Sequence, residues 1–277
     1  MSFGIDVSHY EGRIDWNQVK NDPNQVNFMF TKVTEGSKQG TNYVDPTFQY
    51  NINGANNVGI LTGAYHFFRA ISVDDAKQEA AFFIQNLKSV TLTAPVFVDV
   101  EVNDGNLDPN TLTDAVNAFL TELKNAGYTN NGVYSNLYFF ENSLNPSRLQ
   151  KNTLLWIARY NERGAGINCD IWQYTDSGKV QGINGNVDCN ISYIDLNISN
   201  NNGISSTYIG IATITGDNVN LRDQPSMNGN VIRKLHHNES YKVFYEQNGW
   251  LNLGGNQFIY YDPSYIDYKL LSICSDC

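Results

Sequence analysis

The stretch VFVDVE, residues 96–101, decides how the whole sequence is interpreted. Successive side chains of a β-strand point to opposite faces, so the three valines share one face, whereas Phe97, Asp99 and Glu101 share the other. In a strand of an α/β barrel, the valine face would pack on the helices and both carboxylates would point into the barrel. Two residues of strand rise about 7 Å, within the separation of about 5 to 9.5 Å that paired glycosidase carboxyls use. The stretch therefore predicts a barrel with two acids at the carboxyl end of one strand.

Short apolar runs on both sides of this stretch predict the other strands. Four runs are spaced like the strands of βα units, namely residues 3–8, 28–34, 59–68 and 131–135. Two segments place apolar residues at helical spacing, residues 73–87 and 111–126. Three later apolar runs follow one another too closely to leave room for full crossover helices. They are residues 154–160, 170–176 and 186–194. We therefore predict an α/β fold, a barrel of five βα units that is closed by three further strands.

The chain changes character after the barrel. Residues 198–207 are rich in Asn, Ser and Gly without apolar periodicity, which is typical of a linker. Residues 208–277 contain short alternating strands between Gly, Asn and Pro turns, and no helical pattern. We therefore predict a barrel domain of residues 1–197, a linker of residues 198–207, and a small all-β barrel of residues 208–277.

Composition and charge narrow the functional class. The 277 residues carry 18 basic and 28 acidic side chains, and this net charge of −10 disfavours a nucleic-acid-binding protein, which needs a basic surface. No apolar run approaches the ~20 residues of a membrane span. The N-terminal residues lack the features of a signal peptide, so we expect a cytoplasmic protein without membrane insertion. The four His residues lack metal-ligand spacing, Cys274 and Cys277 lack enough neighbouring ligands for zinc, and nucleotide-binding motifs are absent, so we expect no metal or cofactor.

Four acids are predicted to converge inside the barrel. Asp6 points away from the apolar face of the first strand, and Asp188 lies in the last one, so both would join Asp99 and Glu101. Crowded carboxylates repel one another, which raises the pKa of one of them above that of free Glu. A protonated Glu101 would then donate to a glycosidic oxygen while Asp99 stays ionised. The alternative is that these acids form ion pairs with Lys or Arg at strand ends.

Aromatic and polar residues near these strands are candidates for substrate binding. Flat rings stack on sugar faces but also fill barrel cores, so both interpretations stay open for each ring. The candidates are Tyr65, Tyr134, Trp172, Arg69, Gln173 and Tyr10. Arg69, Gln173 and Tyr10 would contribute hydrogen bonds, and a core or surface role is the alternative for each.

Seven short motifs occur in the order found in one known family. They are GIDVS (4–8), KVTEG (32–36), YVDP (43–46), YHF (65–67), VDVE (98–101), WQY (172–174) and GNVD (185–188). On these motifs, residues 3–195 resemble glycoside hydrolase family 25, the Chalaropsis-type lysozymes. The resemblance implies a (βα)5β3 TIM-like barrel and a retaining lysozyme. This enzyme would cut the β-1,4 bond between N-acetylmuramic acid and N-acetylglucosamine in bacterial peptidoglycan.

The same resemblance implies roles for the four acids. Glu101 would be the acid/base and Asp99 its partner, whereas Asp6 and Asp188 would shape the site. Whether Asp99 attacks the anomeric carbon or orients the N-acetyl group of the substrate stays open.

The tail resembles a bacterial SH3-like cell-wall-binding module. NVNLRDQP (218–225) is similar to its opening strand and turn and NGW (248–250) to its middle, whereas QFIY (257–260) replaces the usual second Gly-Trp. A muramidase joined to a wall-binding module resembles a phage endolysin, which would stay in the host cytoplasm until lysis and then act at the cell wall. The alternatives are a host autolysin, a wall-binding protein without catalysis, and a hydrolase of chitin.

Overall fold

The computed structural model describes residues 1–36, 42–161, 163–198, 210–247, 249–254 and 257–270. The chain divides into two units. The first unit consists of Ser2–Ser192 and Leu196–Asn202. The second unit consists of Gly203–Cys277 together with Met1 and Tyr193–Asp195. Most of the predicted linker and the terminal Cys274 and Cys277 lie outside the described residues. The proposed boundaries at 197 and 208 therefore stay a prediction.

Eight of the nine strands in the first unit form a closed ring. In chain order the nine are β1 (Ser2–Val7), β2 (Phe28–Glu35), β3 (Tyr43–Val44), β4 (Leu61–Phe67), β5 (Val96–Asp99), β6 (Asn131–Asn136), β7 (Leu154–Ala158), β8 (Ile171–Gly178) and β9 (Val187–Ser192). Neighbours are parallel from β1 through β2, β4, β5, β6 and β7 to β8, and β9 runs antiparallel between β8 and β1. The short β3 pairs with β2 outside the ring. The predicted α/β barrel, closed by short final connections, is confirmed.

The helices of this unit lie between successive strands. They are α1 (Trp16–Lys20), α2 (Phe48–Asn57), α3 (Val73–Leu87), α4 (Pro109–Asn125) and α5 (Leu137–Ser143), with short 3-10 helices at His9–Glu11 and Pro146–Arg148. The two predicted helices, α3 and α4, begin where the side chains of Ser72 and Asp108 accept backbone N–H groups of the first turn. The sequence did not predict α2, because four Asn and one Gly among its ten residues give it a low helix propensity.

Large rings fill the interior of the barrel below its mouth. Phe30, Phe97 and Trp156 are fully buried, and their ring centroids lie 4.8 to 5.3 Å apart. Gly63 makes room for this cluster, because a Cβ there would clash with the Pro95 carbonyl oxygen and with the Phe30 ring. Phe97 thus occupies the interior face of β5, as the alternation in residues 96–101 predicts.

The second unit contains only strands in its described part. They are β10 (Gly210–Ile214), β11 (Val219–Arg222), β12 (Val231–Leu235), β13 (Ser240–Val243), β14 (Tyr245–Gln247), β15 (Trp250–Asn252), β16 (Phe258–Tyr260) and β17 (Ile266–Leu270). They form a sheet in the order β13-β10-β17 and another in the order β12-β11-β16-β15-β14. Their shared core includes Ile214, Leu221, Val243, Leu251 and Ile259. Across the described ranges of both units, no helix has the length and apolar character needed to cross a membrane.

Candidate active site

A cleft of about 210 Å³ opens at the carboxyl ends of the parallel barrel strands. Asp6 and Asp99 reach it from the ends of β1 and β5, and Glu101 follows β5 directly. Asp188 reaches the same mouth from the beginning of β9, because that strand runs in the opposite direction. The structure therefore brings the four predicted acids into one cleft.

Asp99 is an acid buried without a balancing ion pair. Its side chain is 5% exposed, and its Oδ1 has no hydrogen-bond partner within the described residues. Burial, followed by the charge of Glu101, raises the pKa of Asp99 well above its ordinary value, and Lys32 acts in the opposite direction. Within the described chain, none of the four acids forms an ion pair with Lys or Arg, which counts against a purely structural role at strand ends.

Glu101 is more accessible than Asp99. It is half-buried at the mouth, and the Asn136 side chain donates a weak hydrogen bond of 3.4 Å to its Oε1. Burial raises the pKa of Glu101, and the Asn136 hydrogen bond lowers it by a smaller amount. A carboxyl with a raised pKa in a position that a substrate can reach meets the requirements for a general acid.

The structure changes one expectation about this pair. The sequence analysis expects crowding to be the main cause of the raised pKa and Asp99 to stay ionised. Burial is instead the larger cause for both groups, and it raises the pKa of Asp99 more strongly than that of Glu101. The difference arises because Asp99 ends a strand whose neighbours enclose it, whereas Glu101 lies beyond the strand end.

Asp6 and Asp188 face each other across the antiparallel pair of β1 and β9. Burial, followed by the charge of Asp188, raises the pKa of Asp6 well above its ordinary value. Burial also raises the pKa of Asp188 to about 6, and the two carboxyls lie within hydrogen-bonding reach of each other. The amide groups of Gln173 and Asn190 donate to Asp6 Oδ2 over 2.8 and 2.7 Å.

Three of the predicted substrate-binding residues line the cleft. Tyr65 and Tyr134 form part of its wall, and Tyr134 donates its hydroxyl to Gln173 Oε1 over 2.8 Å. Tyr10 lies at the rim with 82% of its side chain exposed. These positions suit contacts with a ligand at the mouth of the barrel.

The other three candidates do not line the cleft. Trp172 alternates with Gln173 along β8, so its ring lies on the other face, where the indole N–H donates to the Arg159 carbonyl. Arg69 forms ion pairs with Glu35 and Asp104 over 3.1 and 2.8 Å. Gln173 is only 1% exposed, so a substrate does not reach it. Its side chain instead donates a hydrogen bond to Asp6, one of the acids of the site.

Three further groups lie around the cleft, and the sequence analysis did not assign them to the site. Glu11 lines the cleft from the 3-10 helix after β1. Ser8 and Glu11 form a capping box at the start of this helix, and their S-x-x-E spacing could have predicted it from the sequence. Lys32 is the basic side chain of the wall in the described part of the chain, and it pairs with Glu35 over 2.5 Å. Asn190 was missed because nothing local in the sequence shows that β9 lies beside Asp6.

Exposed tyrosines surround the mouth. Tyr10 follows β1, Tyr138 lies in the first turn of α5 after β6, and Tyr160 follows β7. Their side chains are 82%, 77% and 51% exposed. The strand order places β1 and β6 on opposite sides of the eight-stranded ring, so Tyr10 and Tyr138 lie on opposite sides of the mouth. Flat rings in such positions can stack on the faces of sugars.

Comparisons with known proteins agree with this geometry. The family model "Glycosyl hydrolases family 25" matches residues 5–183, which lie within the barrel unit. The "Uncharacterized protein YegX" of Escherichia coli (strain K12) is 34% identical over 194 residues, covering 68% of each chain. The "Autolytic lysozyme" of Clostridium acetobutylicum is 33% identical over 187 residues, 67% of this chain and 54% of that one.

One similar solved structure contains a bound ligand. It is the modular autolysin LytC from Streptococcus pneumoniae in complex with a synthetic peptidoglycan ligand, which matches with a TM-score of 0.60 and 28% identity. The match covers 69% of this chain and 46% of that one.

Proposed function

Because the chain belongs to glycosyl hydrolases family 25, we propose that it is an N-acetylmuramidase acting on bacterial peptidoglycan. The family and its lysozyme relative support a glycoside hydrolase of the cell wall. The proposal adds the bond, the β-1,4 link from N-acetylmuramic acid to N-acetylglucosamine. The observation that carries it is the convergence of Asp6, Asp99, Glu101 and Asp188 in one cleft at the barrel mouth.

In the proposed reaction, Glu101 donates its proton to the oxygen of the scissile bond. Its raised pKa keeps the proton available, and its half-buried position lets a glycosidic oxygen approach it. As that bond lengthens, positive charge develops at the anomeric carbon. This charge would favour the ionised form of Asp99, which burial otherwise disfavours. In its ionised form, Asp99 then either attacks the anomeric carbon or orients the N-acetyl group of the substrate. A water molecule that gives its proton back to Glu101 finally attacks the anomeric carbon and releases the new reducing end.

The surroundings of the cleft support a polysaccharide substrate. Tyr10 and Tyr138 are exposed on opposite sides of the mouth, so a glycan strand that crosses the cleft would contact both rings. Chitin shares the β-1,4 glycan backbone and is therefore the competing substrate.

Product analysis tests this proposal directly. We expect purified cell walls to release fragments with N-acetylmuramic acid at the new reducing end, as identified by mass spectrometry of the reduced muropeptides. N-acetylglucosamine at that end would contradict the proposed bond. Cleavage of chitin oligomers without cleavage of walls would favour the chitin alternative, and the absence of new reducing ends would favour a wall-binding protein without catalysis.

For the second unit we propose an SH3-like module that binds the cell wall. A chain ending at residue 202 is expected to release reducing ends from soluble glycan fragments as the full chain does, because the cleft residues all lie in the first unit. It should sediment less with insoluble walls. Equal sedimentation of the truncated and full chains, measured in parallel, would contradict wall binding by the second unit.

A phage endolysin is the biological role that we propose for this combination. The enzyme would remain in the host cytoplasm until lysis and then reach the wall. A host autolysin is the alternative.

A further inference from the structure

A chain of hydrogen bonds lies directly behind Asp6. Asp6 Oδ2 accepts from Gln173 Nε2 on β8 and from Asn190 Nδ2 on β9, over 2.8 and 2.7 Å. Gln173, Asn190 and Asp6 are 1%, 0% and 7% exposed, so water does not replace these contacts. The two amides are therefore the groups that solvate this oxygen.

The orientation of Asn190 is fixed by its other partner. The indole N–H of Trp156 lies 2.7 Å from Asn190 Oδ1. An indole N–H can only donate, so the atom that it meets must be the amide oxygen. The Asn190 NH2 group consequently must face Asp6, and a flipped amide would place two donors against each other.

The contacts of Gln173 agree with the same arrangement, but a Tyr hydroxyl can donate or accept and does not fix an amide as an indole N–H does. The hydroxyls of Tyr134 and Tyr160 donate to Gln173 Oε1 over 2.8 and 3.0 Å. Its NH2 group is then the one that faces Asp6. Both amides are thus contacted on the side away from Asp6, by Tyr134 on β6, Trp156 on β7 and Tyr160 after β7.

These contacts restrict where Asp6 can carry a proton. A carboxylate oxygen offers about two acceptor sites, and both sites of Oδ2 are occupied by amide hydrogens. A proton on Asp6 can therefore reside only on Oδ1. The facing Asp188 lies within hydrogen-bonding reach, and two carboxylates at that distance do not both ionise without cost.

We propose that Gln173 and Asn190 are positioning residues that keep Asp6 Oδ2 as a hydrogen-bond acceptor only. In this way they confine one proton to the position between Asp6 Oδ1 and the Asp188 carboxyl. The pair then adds a single negative charge to the cleft. Asp188 keeps an oxygen directed at the cleft as a fixed hydrogen-bond acceptor for the substrate. The inference rests on the proposed hydrolase function for its catalytic consequence only.

Other charged and titratable groups face this pair from the surrounding elements. They are Glu11 after β1, Lys32 on β2, Tyr65 on β4, Asp99 and Glu101 at β5, Tyr134 on β6, Tyr160 after β7 and Asp176 on β8. Four of the eight are carboxylic acids and one is basic, so their summed charge favours retention of a proton by the pair.

Asn190→Asp tests the role of the amide donor. The new carboxyl can still accept from Trp156, but it can donate to Asp6 only while it is protonated. We expect the variant to act like the wild type at acidic pH and to lose activity as its new carboxyl ionises. Because activity then also requires a protonated carboxyl at position 190, the alkaline limb of kcat/KM should move to lower pH, and burial of that carboxyl limits the size of the shift. A folded variant with an unchanged pH profile would overturn the inference.

Two further variants keep the test decisive if Asn190→Asp does not fold. Gln173→Glu makes the same change from β8 and should shift the same limb in the same direction. Asn125→Asp makes the same amide-to-acid change at the exposed end of α4, away from the cleft, so we expect an unchanged pH profile. A limb that shifts with Asn125→Asp but not with Gln173→Glu would contradict the proposed arrangement.

A second readout does not depend on activity. In the full chain labelled with 13C at the Asp carboxyl carbons, Asp6→Asn and Asp188→Asn identify the two resonances. We expect one carboxyl of the wild-type pair to stay protonated at pH values where free Asp is ionised. Two carboxyls that both titrate near the ordinary Asp value would overturn the shared proton. If the wild type cleaves no walls, the proposed function fails, and this titration still decides the inference.

Discussion

Glu101→Gln should lower the release of reducing ends from purified walls by roughly 10²–10⁴-fold, the usual contribution of a general acid. Gln has nearly the same shape and its amide oxygen can still accept from Asn136, but it carries no acidic proton. The fold should persist, because Glu101 is half-buried at the mouth and forms no ion pair in the described part of the chain. Circular dichroism and a reducing-end assay on the same preparation would measure both properties.

A matched control is available on α5. Glu141 is exposed on that helix and does not line the cleft, so Glu141→Gln should keep full activity. Undiminished release by Glu101→Gln would refute the assignment of the general acid. An equal loss in both variants would point to a general effect of handling or charge instead.

The raised pKa values also determine how stability should vary with pH. A carboxyl whose pKa is raised in the folded state supports folding below its unfolded pKa, and this contribution is lost as the pH rises through the folded pKa. Burial raises the pKa of Asp6, Asp99, Glu101 and Asp188, and for Asp188 the value is about 6. Above the acidic range, the four buried acids therefore lower the free energy of unfolding. Such a loss of stability is common at functional sites.

Trp156→Ala should destabilise the barrel unit by about 3–5 kcal/mol, the usual cost of removing a buried Trp. The ring is 1% exposed and contacts the rings of Phe30, Phe97, Tyr65 and Tyr134. Its removal leaves a cavity at the centre of the barrel, directly below the cleft. Urea denaturation of the full chain would measure the loss, and an unchanged midpoint for the barrel would contradict this packing role.

Trp156→Phe separates packing from hydrogen bonding. Phe retains most of the ring contacts but cannot donate to Asn190 Oδ1, which would stay buried without a partner. Such an unsatisfied acceptor costs about 1–3 kcal/mol, so this variant should fall between the wild type and Trp156→Ala. The transition of the second unit serves as an internal reference, because Trp156 lies in the first unit.

The sequence predicts those features of the site that depend on neighbours along one strand. Alternation in residues 96–101 correctly places Phe97 inside the barrel and directs Asp99 to the cleft, because a strand side chain has only two possible faces. The same rule was not applied to residues 172–174. The sequence analysis left both a sugar contact and a core role open for Trp172, whereas the alternation turns Gln173 inward and Trp172 outward.

The side chains that hold Asp6 were not predicted from the sequence, because they lie on strands that are distant along the chain. The two amides that hold Asp6 lie 167 and 184 residues away along the chain. Only the closure of the ring by β9 brings them beside β1. Asn190 lies two residues after Asp188 and therefore shares its face, but the identity of that face depends on the register between β9 and β1.

The reversed direction of β9 makes the connection between β8 and β9 unusually sensitive to changes in length. At residues 179–186, a change of one residue can slip β9 by one position, which turns Asp188 and Asn190 toward the outside. Engineers who graft new loops onto this scaffold should therefore keep the length of that hairpin.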